Sequence, residues 1–312
     1  MNIADIILHQ TCESCVTNEN SFLYDLFKDF ILPIGLALLA SYMVFWIFVK
    51  ETNRDKQKEK SVEFQQQKDN LQFFSNIVNS VIKTSEQQNS YILEFVDLYV
   101  TDQVTFHLLT FIPLNDMRRV TEDLDLEKYL LAYVNFFAED RRASINEFNE
   151  IIITIDFLHA ILKAMLLQLQ KAQDFDAERK ANLQSQYEAA HSLTAKLLLK
   201  FRESDEEIFD EMVRLGDDLQ SAYPGNNYDL DYYYSKFFVP FNDFAVSYIQ
   251  SSKQVDLDVN ELAMTTRNGK QYYLQIKSEN ESLAEDLKGQ HASIKKAIEE
   301  LKSHTARLNE NF

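Results

Sequence analysis

The sequence predicts an all-α protein with a single N-terminal transmembrane helix, followed by an elongated cytoplasmic helical bundle with a coiled-coil-like C-terminal helix. Three observations predict this fold. The 312 residues include only 5 Gly and 4 Pro, against roughly 22 and 16 at average usage, so residues suited to tight turns are scarce. An uncharged stretch lies near the N-terminus. Elsewhere, apolar residues recur mainly at helical spacing.

The membrane helix is predicted at Phe30–Val49, where 20 consecutive residues carry no charge. At about 1.5 Å per residue, such a helix crosses a hydrocarbon core of about 30 Å. A cleaved signal peptide would have a basic leader and a small-residue cleavage site. Here the leader of 29 residues carries one lysine and five acidic residues. The pattern therefore favours a membrane anchor.

Basic residues cluster on one side of this span, which predicts its orientation. The N-terminal flank has only Lys28, whereas the C-terminal flank has Lys50, Arg54, Lys56, Lys58 and Lys60. The positive-inside rule then places residues 1–29 outside the plasma (inner) membrane and the C-terminal domain in the cytoplasm. Cys12 and Cys15 fall in the outer segment. They are candidates for a disulfide, and inert thiols are the alternative.

The pattern of apolar, polar and charged residues divides the remaining chain into three segments. Residues 50–104 read as a basic juxtamembrane stretch and a long stalk helix that continues from the anchor through Glu51–Tyr99. Residues 105–254 read as a helical bundle, and residues 255–312 as a C-terminal helical segment. Pro113 predicts a break in the helix before a second helix at Asp125–Glu139.

Two Ser-x-x-Glu-type patterns predict helix starts in the bundle. "SINE" at Ser144–Glu147 reads as a capping box that opens a helix with its strongest apolar run at Glu150–Gln170. That run is apolar on nearly every face, which predicts a buried central helix; a second membrane segment is the alternative. A separate helix is predicted at Asp176–Phe201. "SDEE" at Ser204–Glu207 predicts another capped helix, ending near Ser221.

An aromatic run follows the loop "YPGNNYD" at Tyr223–Asp229. Tyr232, Tyr233 and Tyr234 are consecutive, so on a helix they point about 100° apart and cannot all face one core. Either the rings pack at a corner of the bundle, or an exposed part of them contacts a protein partner. We take these three residues as candidate partner contacts.

The C-terminal segment contains two further patterns. Asn268-Gly269 is a strong turn dipeptide, which predicts a helix–turn–helix corner or, less consistently with the rest of the chain, a hairpin. Beyond it, a heptad-like seam consists of Leu287, Ile294, Leu301 and Leu308. The seam fits a bundle helix and a self-associating coiled coil equally well.

One constellation resembles a metal site. Asp156-x-x-His159 and Glu188-x-x-His191 have the i, i+3 spacing of carboxylate–histidine ligand pairs on predicted neighbouring helices. The acidic residues that a complete site would need from two further helices are not evident. Satisfied bundle histidines are the plainer interpretation, and neither a resident metal nor another cofactor is predicted.

Composition and motifs limit the classes of function that the protein can have. A formal net charge of −18 disfavours nucleic-acid binding, which relies on Lys and Arg. It indicates a solvated acidic surface or a face for a basic partner. No phosphate-binding loop, dinucleotide fingerprint, nucleophile elbow or zinc-protease motif occurs in the sequence, so we expect a protein that is not an enzyme.

Two functions follow from this layout. The first is a membrane-anchored scaffold or signalling adaptor that binds a protein partner through its cytoplasmic domain. The second is an oligomeric membrane effector, of the phage-defence type, that perturbs the bilayer when its cytoplasmic domain is triggered. In either case the expected partners are the lipid bilayer, a protein partner and further copies of the chain.

Overall fold

The fold is helical throughout the part of the chain that the structure describes. This computed structural model describes residues 27–222, 229–252 and 255–312, and no β-strand occurs among them. The all-α prediction is therefore confirmed. Cys12 and Cys15, together with most of the predicted loop at Tyr223–Asp229, lie outside the described residues.

The helices have the following bounds. The α-helices are α1 (Leu32–Thr101), α2 (Asn115–Arg118), α3 (Leu126–Phe136), α4 (Arg141–Ser204), α5 (Glu206–Ser221), α6 (Leu230–Tyr233), α7 (Val239–Ser251) and α8 (Leu257–Asn309). Short π-helical turns occur at Phe27–Ile31, Arg119–Asp123 and Tyr234–Phe238, and a 3₁₀ turn at Ala138–Asp140.

The chain divides into two compact units, Met1–Lys68 and Asp69–Phe312. In the described part of the first unit, nearly all side chains are exposed. The predicted continuation of the anchor helix is confirmed, because α1 runs without a break to Thr101. The hydrophobic core of the described residues lies in the second unit.

Helix α8 runs antiparallel to α4 and to residues 69–101 of α1 within the second unit. Near its C-terminal end, the Asn309 side chain accepts a hydrogen bond from Ser75 at 3.1 Å, and Arg307 pairs with Glu147 at 3.5 Å. Near its N-terminal end, Asp256 pairs with Lys200 at 2.7 Å. These contacts fix the register of α8 along both neighbours.

The heptad-like seam of α8 is covered by the chain itself. Leu287, Ile294, Leu301 and Leu308 are all fully buried in one hydrophobic cluster with residues of α1 and α4. The structure therefore places the seam in an intramolecular bundle, one of the two arrangements that the sequence left open.

Helix starts are set by aspartates rather than by the predicted serines. Asp140 caps α4 by accepting from the Ala143 amide at 3.0 Å, and Asp205 caps α5 by accepting from the Ile208 amide at 3.3 Å. The predicted boxes at Ser144 and Ser204 are wrong as helix starts. Ser144 lies inside α4 and Ser204 is its last residue. The buried Ser144 hydroxyl donates to the Phe137 carbonyl at 2.8 Å.

The prediction of two helices at Glu150–Gln170 and Asp176–Phe201 is also wrong, because α4 is continuous through both. No Gly or Pro separates them, and Asp176 remains within the helix, paired with Lys180 one turn later at 2.7 Å. The 150–170 stretch is a core helix: Ile151 and Ile155 are fully buried in the second unit.

Asn268-Gly269 forms neither a hairpin nor a corner, and α8 passes straight through it. Gly269 is needed there for close packing. A Cβ atom at this position would lie 2.1 Å from the Cε1 atom of Phe238, a fully buried side chain. The absence of a side chain lets α8 approach the turn that precedes α7, which is a helical use of glycine that the dipeptide did not reveal.

The predicted break around Pro113 is confirmed, and two buried amides hold the connection in place. The Gln88 side chain accepts from the Ile112 amide at 2.7 Å and donates to the Thr110 carbonyl at 3.1 Å. Asn280 of α8 donates to the Gln103 carbonyl at 2.9 Å. Because both amides are buried, their hydrogen bonds satisfy backbone groups that the helices do not.

A pair of glycine substitutions in α8 tests the close approach. We expect Gly269→Ala to lower the free energy of unfolding by about 1–3 kcal/mol, since the new methyl group overpacks against Phe238. In contrast, Gly289 has open space around it, so Gly289→Ala should stabilise α8 by about 0.5–1 kcal/mol. Thermal unfolding of the full chain in detergent, followed by circular dichroism, measures both. A Gly269→Ala variant as stable as Gly289→Ala would contradict the packing argument.

Candidate functional site

The apolar segment at the start of α1 is exposed on every face. From residue 28 to residue 51 each side chain is exposed, and a stretch of this helix has a mean hydropathy of 2.2, long and apolar enough to cross a membrane. A surface of this kind is costly in water, at about 25 cal/mol per Å².

Basic side chains follow the apolar segment directly. Lys50, Arg54, Lys56, Lys58 and Lys60 are all exposed, and none of them forms an ion pair with another described residue. The Lys50 ammonium lies 5.0 Å from the centroid of the Trp46 ring. An aromatic ring beside a cation, where an apolar span ends, is the arrangement found at membrane interfaces.

The three consecutive tyrosines pack mainly against the chain itself. Tyr232 is buried, and its hydroxyl donates to the Leu219 carbonyl. Tyr233 packs edge-on against Tyr187 at 4.6 Å between centroids, and Tyr234 stacks on Tyr273 at 4.0 Å. Tyr233 and Tyr234 are half-buried, so part of each ring remains accessible. Their role as partner contacts stays a prediction.

Polar groups beside this run pair with one another. The Tyr273 hydroxyl donates to the Asp231 carboxylate, and burial together with this carboxylate raises the pKa of Tyr273. Asp231 and Tyr273 border a cavity of about 710 Å³, which also exposes the side chains of Lys180 and Lys277. The pairing ties α6 to α8.

The two carboxylate–histidine pairs cannot bind one metal ion. All four residues lie on the single helix α4, where Asp156 and Glu188 are separated by about 48 Å of helical rise. This candidate arrangement required two neighbouring helices, and the single helix does not provide them. No group of three or more potential metal ligands occurs among the described residues.

Three of these residues instead contact other side chains of the second unit. The His159 ring lies 3.3 Å from the Thr121 hydroxyl. Glu188 accepts from the Gln184 side chain one turn earlier at 2.7 Å, and the His191 ring packs 5.9 Å from Tyr187.

A groove between α7 and α8 is the best candidate for a partner-binding site in the second unit, and the sequence analysis did not identify it. Its volume is about 640 Å³. Its apolar residues are unusually accessible for their type, with exposed fractions of 66% for Met264, 49% for Leu274 and 39% each for Val246 and Ile249. We call this feature the α7–α8 groove. It is lined by Asn242, Val246, Ile249, Asn260, Ala263, Met264, Arg267, Lys270, Gln271 and Leu274.

The groove has a fixed floor. The Asn242 side chain is buried and donates to the Ala263 carbonyl at 3.0 Å and to the Thr266 hydroxyl at 3.2 Å. Its Oδ1 atom accepts from Lys270 at 3.3 Å. These bonds hold α7 against α8, so the groove is formed in the chain without a ligand.

The charge of the groove differs from that of the whole chain. Its lining includes Arg267 and Lys270 but no carboxylate, in a chain of net charge −18. Lys270 is 3.9 Å from Asp243, whereas exposed Arg267 has no ion-pair partner among the described residues. The groove therefore combines exposed apolar side chains with a guanidinium that has no ion-pair partner among the described residues.

The signal for the groove was present in the sequence but was ambiguous. Met264 and Leu274 occupy the opposite face of α8 from Leu262 and Ile276, which are buried. A helical projection shows apolar residues on two faces, but it does not show which face the chain covers.

Comparison with known proteins gave no match to any protein-family model, curated protein or solved structure. The groove is therefore assessed by its own geometry.

The tyrosine run yields a stability prediction. We expect Tyr232→Ser to lower the free energy of unfolding by roughly 3 kcal/mol or more, because it removes a buried ring. Tyr232→Phe, the matched control, keeps the ring and loses only the hydrogen bond to Leu219, for about 1 kcal/mol. Denaturant unfolding in detergent measures both. A Tyr232→Ser variant within about 0.5 kcal/mol of the unmodified protein would show a surface residue.

Proposed function

We propose that this protein is a membrane-anchored scaffold or signalling adaptor that binds a protein partner through its cytoplasmic domain. The observation that carries the binding function is the α7–α8 groove, an exposed apolar surface with a rigid floor. The apolar, fully exposed segment at Phe30–Val49 supports the membrane anchor.

The shape of the groove favours an amphipathic helix as its occupant. Residues on the α8 side recur every three or four positions from Asn260 to Leu274, which corresponds to about 21 Å of helix. Two helices that present a groove of this length accept a third helix, through apolar anchors at similar spacing. Arg267 favours acidic residues beside those anchors, so the proposed ligand is an acidic amphipathic helix of a partner protein.

The proposed topology has the N-terminus outside the plasma (inner) membrane and the second unit in the cytoplasm. It rests on the asymmetry of Lys and Arg around the span. In this orientation the five basic residues also meet anionic headgroups of the cytoplasmic leaflet.

Reporter fusions test the topology. We expect a fusion after Phe312 to report the cytoplasm, and simultaneous replacement of Lys50, Arg54, Lys56, Lys58 and Lys60 with Gln to give mixed orientations. Because acidic residues contribute little to orientation, the matched control Glu51→Gln/Asp55→Gln/Glu59→Gln should leave the topology unchanged. An external signal from the C-terminal fusion on the unmodified chain would refute the model.

Site-specific photocrosslinking tests the groove in cells that naturally make the protein. A photoreactive residue at Gln271, in the groove, should capture a partner through an acidic helical segment identified by mass spectrometry. Its control at Gln170, an exposed position on α4, should not capture that segment. Capture from Gln271 should fall at least about tenfold in Met264→Asp and in Arg267→Glu.

The surface variant Leu199→Asp is the control for these substitutions, because Leu199 is 69% exposed on α4 and outside the groove. It should leave capture intact. Equal capture from Gln271 and Gln170, or capture that Met264→Asp does not reduce, would refute the groove as the partner site.

A further inference from the structure

A further cavity of the second unit is walled by aromatic rings. It lies between α4, α5 and the aromatic segment from Tyr232 to Phe241, and its volume is about 590 Å³. Cavities of about 300–1,000 Å³ are typical of small-molecule sites. We call this feature the aromatic cavity. The described residues that line it with a ring are Tyr187, His191, Tyr232, Tyr233, Phe237 and Phe241.

The rings of the aromatic cavity hold one another in place. Tyr187 of α4 packs edge-on against Tyr233, at 4.6 Å between centroids, and against Phe237, at 4.8 Å. Phe237 and Phe241, 4.9 Å apart, are buried in the hydrophobic core of the second unit. The wall is therefore formed without a ligand. Another flat ring gains most from such a wall, because aromatic pairs stabilise each other beyond the area that they bury.

The lining of the aromatic cavity carries no acidic side chain, lysine or arginine. None of the described residues that line it is Asp, Glu, Lys or Arg, although these residue types make up 26% of the chain. In contrast, the cavity of about 710 Å³ contains both signs of charge, and the α7–α8 groove contains Arg267 and Lys270. A charged ligand would lose hydration in the aromatic cavity without gaining a counter-ion, which is costly. The lining therefore favours a neutral ligand.

Gly216 of α5 leaves one side of the cavity open. It lies one helical turn after Met212, which is fully buried, so the two residues share the inward face of α5. A Cβ atom at Gly216 would nevertheless meet no packed neighbour within 4 Å. Because Gly216 lines the cavity, a larger side chain at this position would occupy the space beside the rings.

The packing of the chain does not account for this glycine. Glycine inside a helix is less favourable than alanine, so an inward glycine needs a reason. At Gly269 the close approach of Phe238 is that reason, whereas no side chain approaches Gly216. What Gly216 provides is open space beside a preformed aromatic wall. Local choices that lower stability without a packing gain are expected at functional sites.

We propose that the aromatic cavity binds a small, neutral, planar aromatic molecule. The ring of this ligand packs against Tyr187, Tyr233 and Phe237, and its edge occupies the space beside Gly216. The site is separate from the α7–α8 groove. It depends neither on the partner proposed for that groove nor on the membrane anchor, so the failure of either proposal would leave it unchanged.

Probes that share one ring and differ in charge test the class of ligand. At about pH 8, indole is neutral, indole-3-acetate is anionic and tryptamine is cationic. Titration calorimetry of the full-length protein in detergent, with detergent alone as the blank, measures their dissociation constants. We expect indole to bind at least about tenfold more tightly than either charged probe. Absence of indole binding, or tighter binding of tryptamine through cation–π contacts, would overturn the proposal.

Filling the cavity separates binding from folding. We expect Gly216→Leu to weaken indole binding at least about tenfold, because the new side chain occupies the space beside the rings. The unfolding temperature should stay the same or rise, since leucine favours a helix more than glycine does. Gly289→Leu is the matched control, because Gly289 also has open space around it but lies outside the cavity. This control should bind indole like the unmodified protein.

A second variant removes part of the wall instead of filling the cavity. Tyr187 is only half-buried, so Tyr187→Leu should keep the fold, as an unchanged circular-dichroism spectrum would verify. It should weaken indole binding by about tenfold, because the ring that contacts both Tyr233 and Phe237 is lost. Unchanged indole binding in Gly216→Leu or in Tyr187→Leu, or equal loss of binding in Gly289→Leu, would place indole elsewhere and overturn the proposal.

Discussion

The second unit depends on the burial of one long helix. Helix α8 contributes to both hydrophobic clusters of the described residues, with Val259, Leu262 and Ile276 in one and Leu283 to Leu308 in the other. Its apolar residues can be covered only if it lies beside residues 69–101 of α1 and beside α4 along most of its length. The order of the shorter helices follows from this requirement, since each of them packs on the pair that α8 makes with α4.

Polar contacts then fix the register of this packing. At the N-terminus of α8, Asp256 caps the helix through the Asp258 and Val259 amides and also pairs with Lys200 at 2.7 Å. Burial alone would raise the pKa of Asp256, but the hydrogen bond from Lys200 and the two amides outweigh it and lower the pKa. One carboxylate therefore stabilises the helix start and joins it to α4. The neighbouring pair of Lys196 and Asp258, also at 2.7 Å, strengthens the same junction.

The sequence predicted helices well and their ends poorly, for a physical reason. Helical periodicity reports the side-chain pattern along an element, and it identified α1 and the seam of α8. Helix ends depend on which of several nearby side chains caps the backbone. Ser144 and Asp140 both suit an N-cap, and only the structure shows that the Ser144 hydroxyl forms its hydrogen bond inside the core. Likewise, Asn268-Gly269 is a dipeptide typical of turns. Here it lies within a helix, because the close approach of Phe238 leaves no space for a side chain at position 269. The α7–α8 groove could not be predicted, because periodicity does not show which apolar face of a helix the chain itself covers.

The exposure of side chains in the structure shows which apolar faces the chain covers, and periodicity does not. Around Phe30–Val49 every face of the helix is apolar and exposed, and the helix is long and apolar enough to cross a membrane. The 150–170 part of α4 is also apolar on nearly all sides, which the sequence interpreted as complete burial. There the core covers one side of the helix and leaves Ile153, Phe157 and Leu167 exposed on the other. Two segments of similar apolar composition thus differ in how much of their surface the chain itself covers, which periodicity alone does not show.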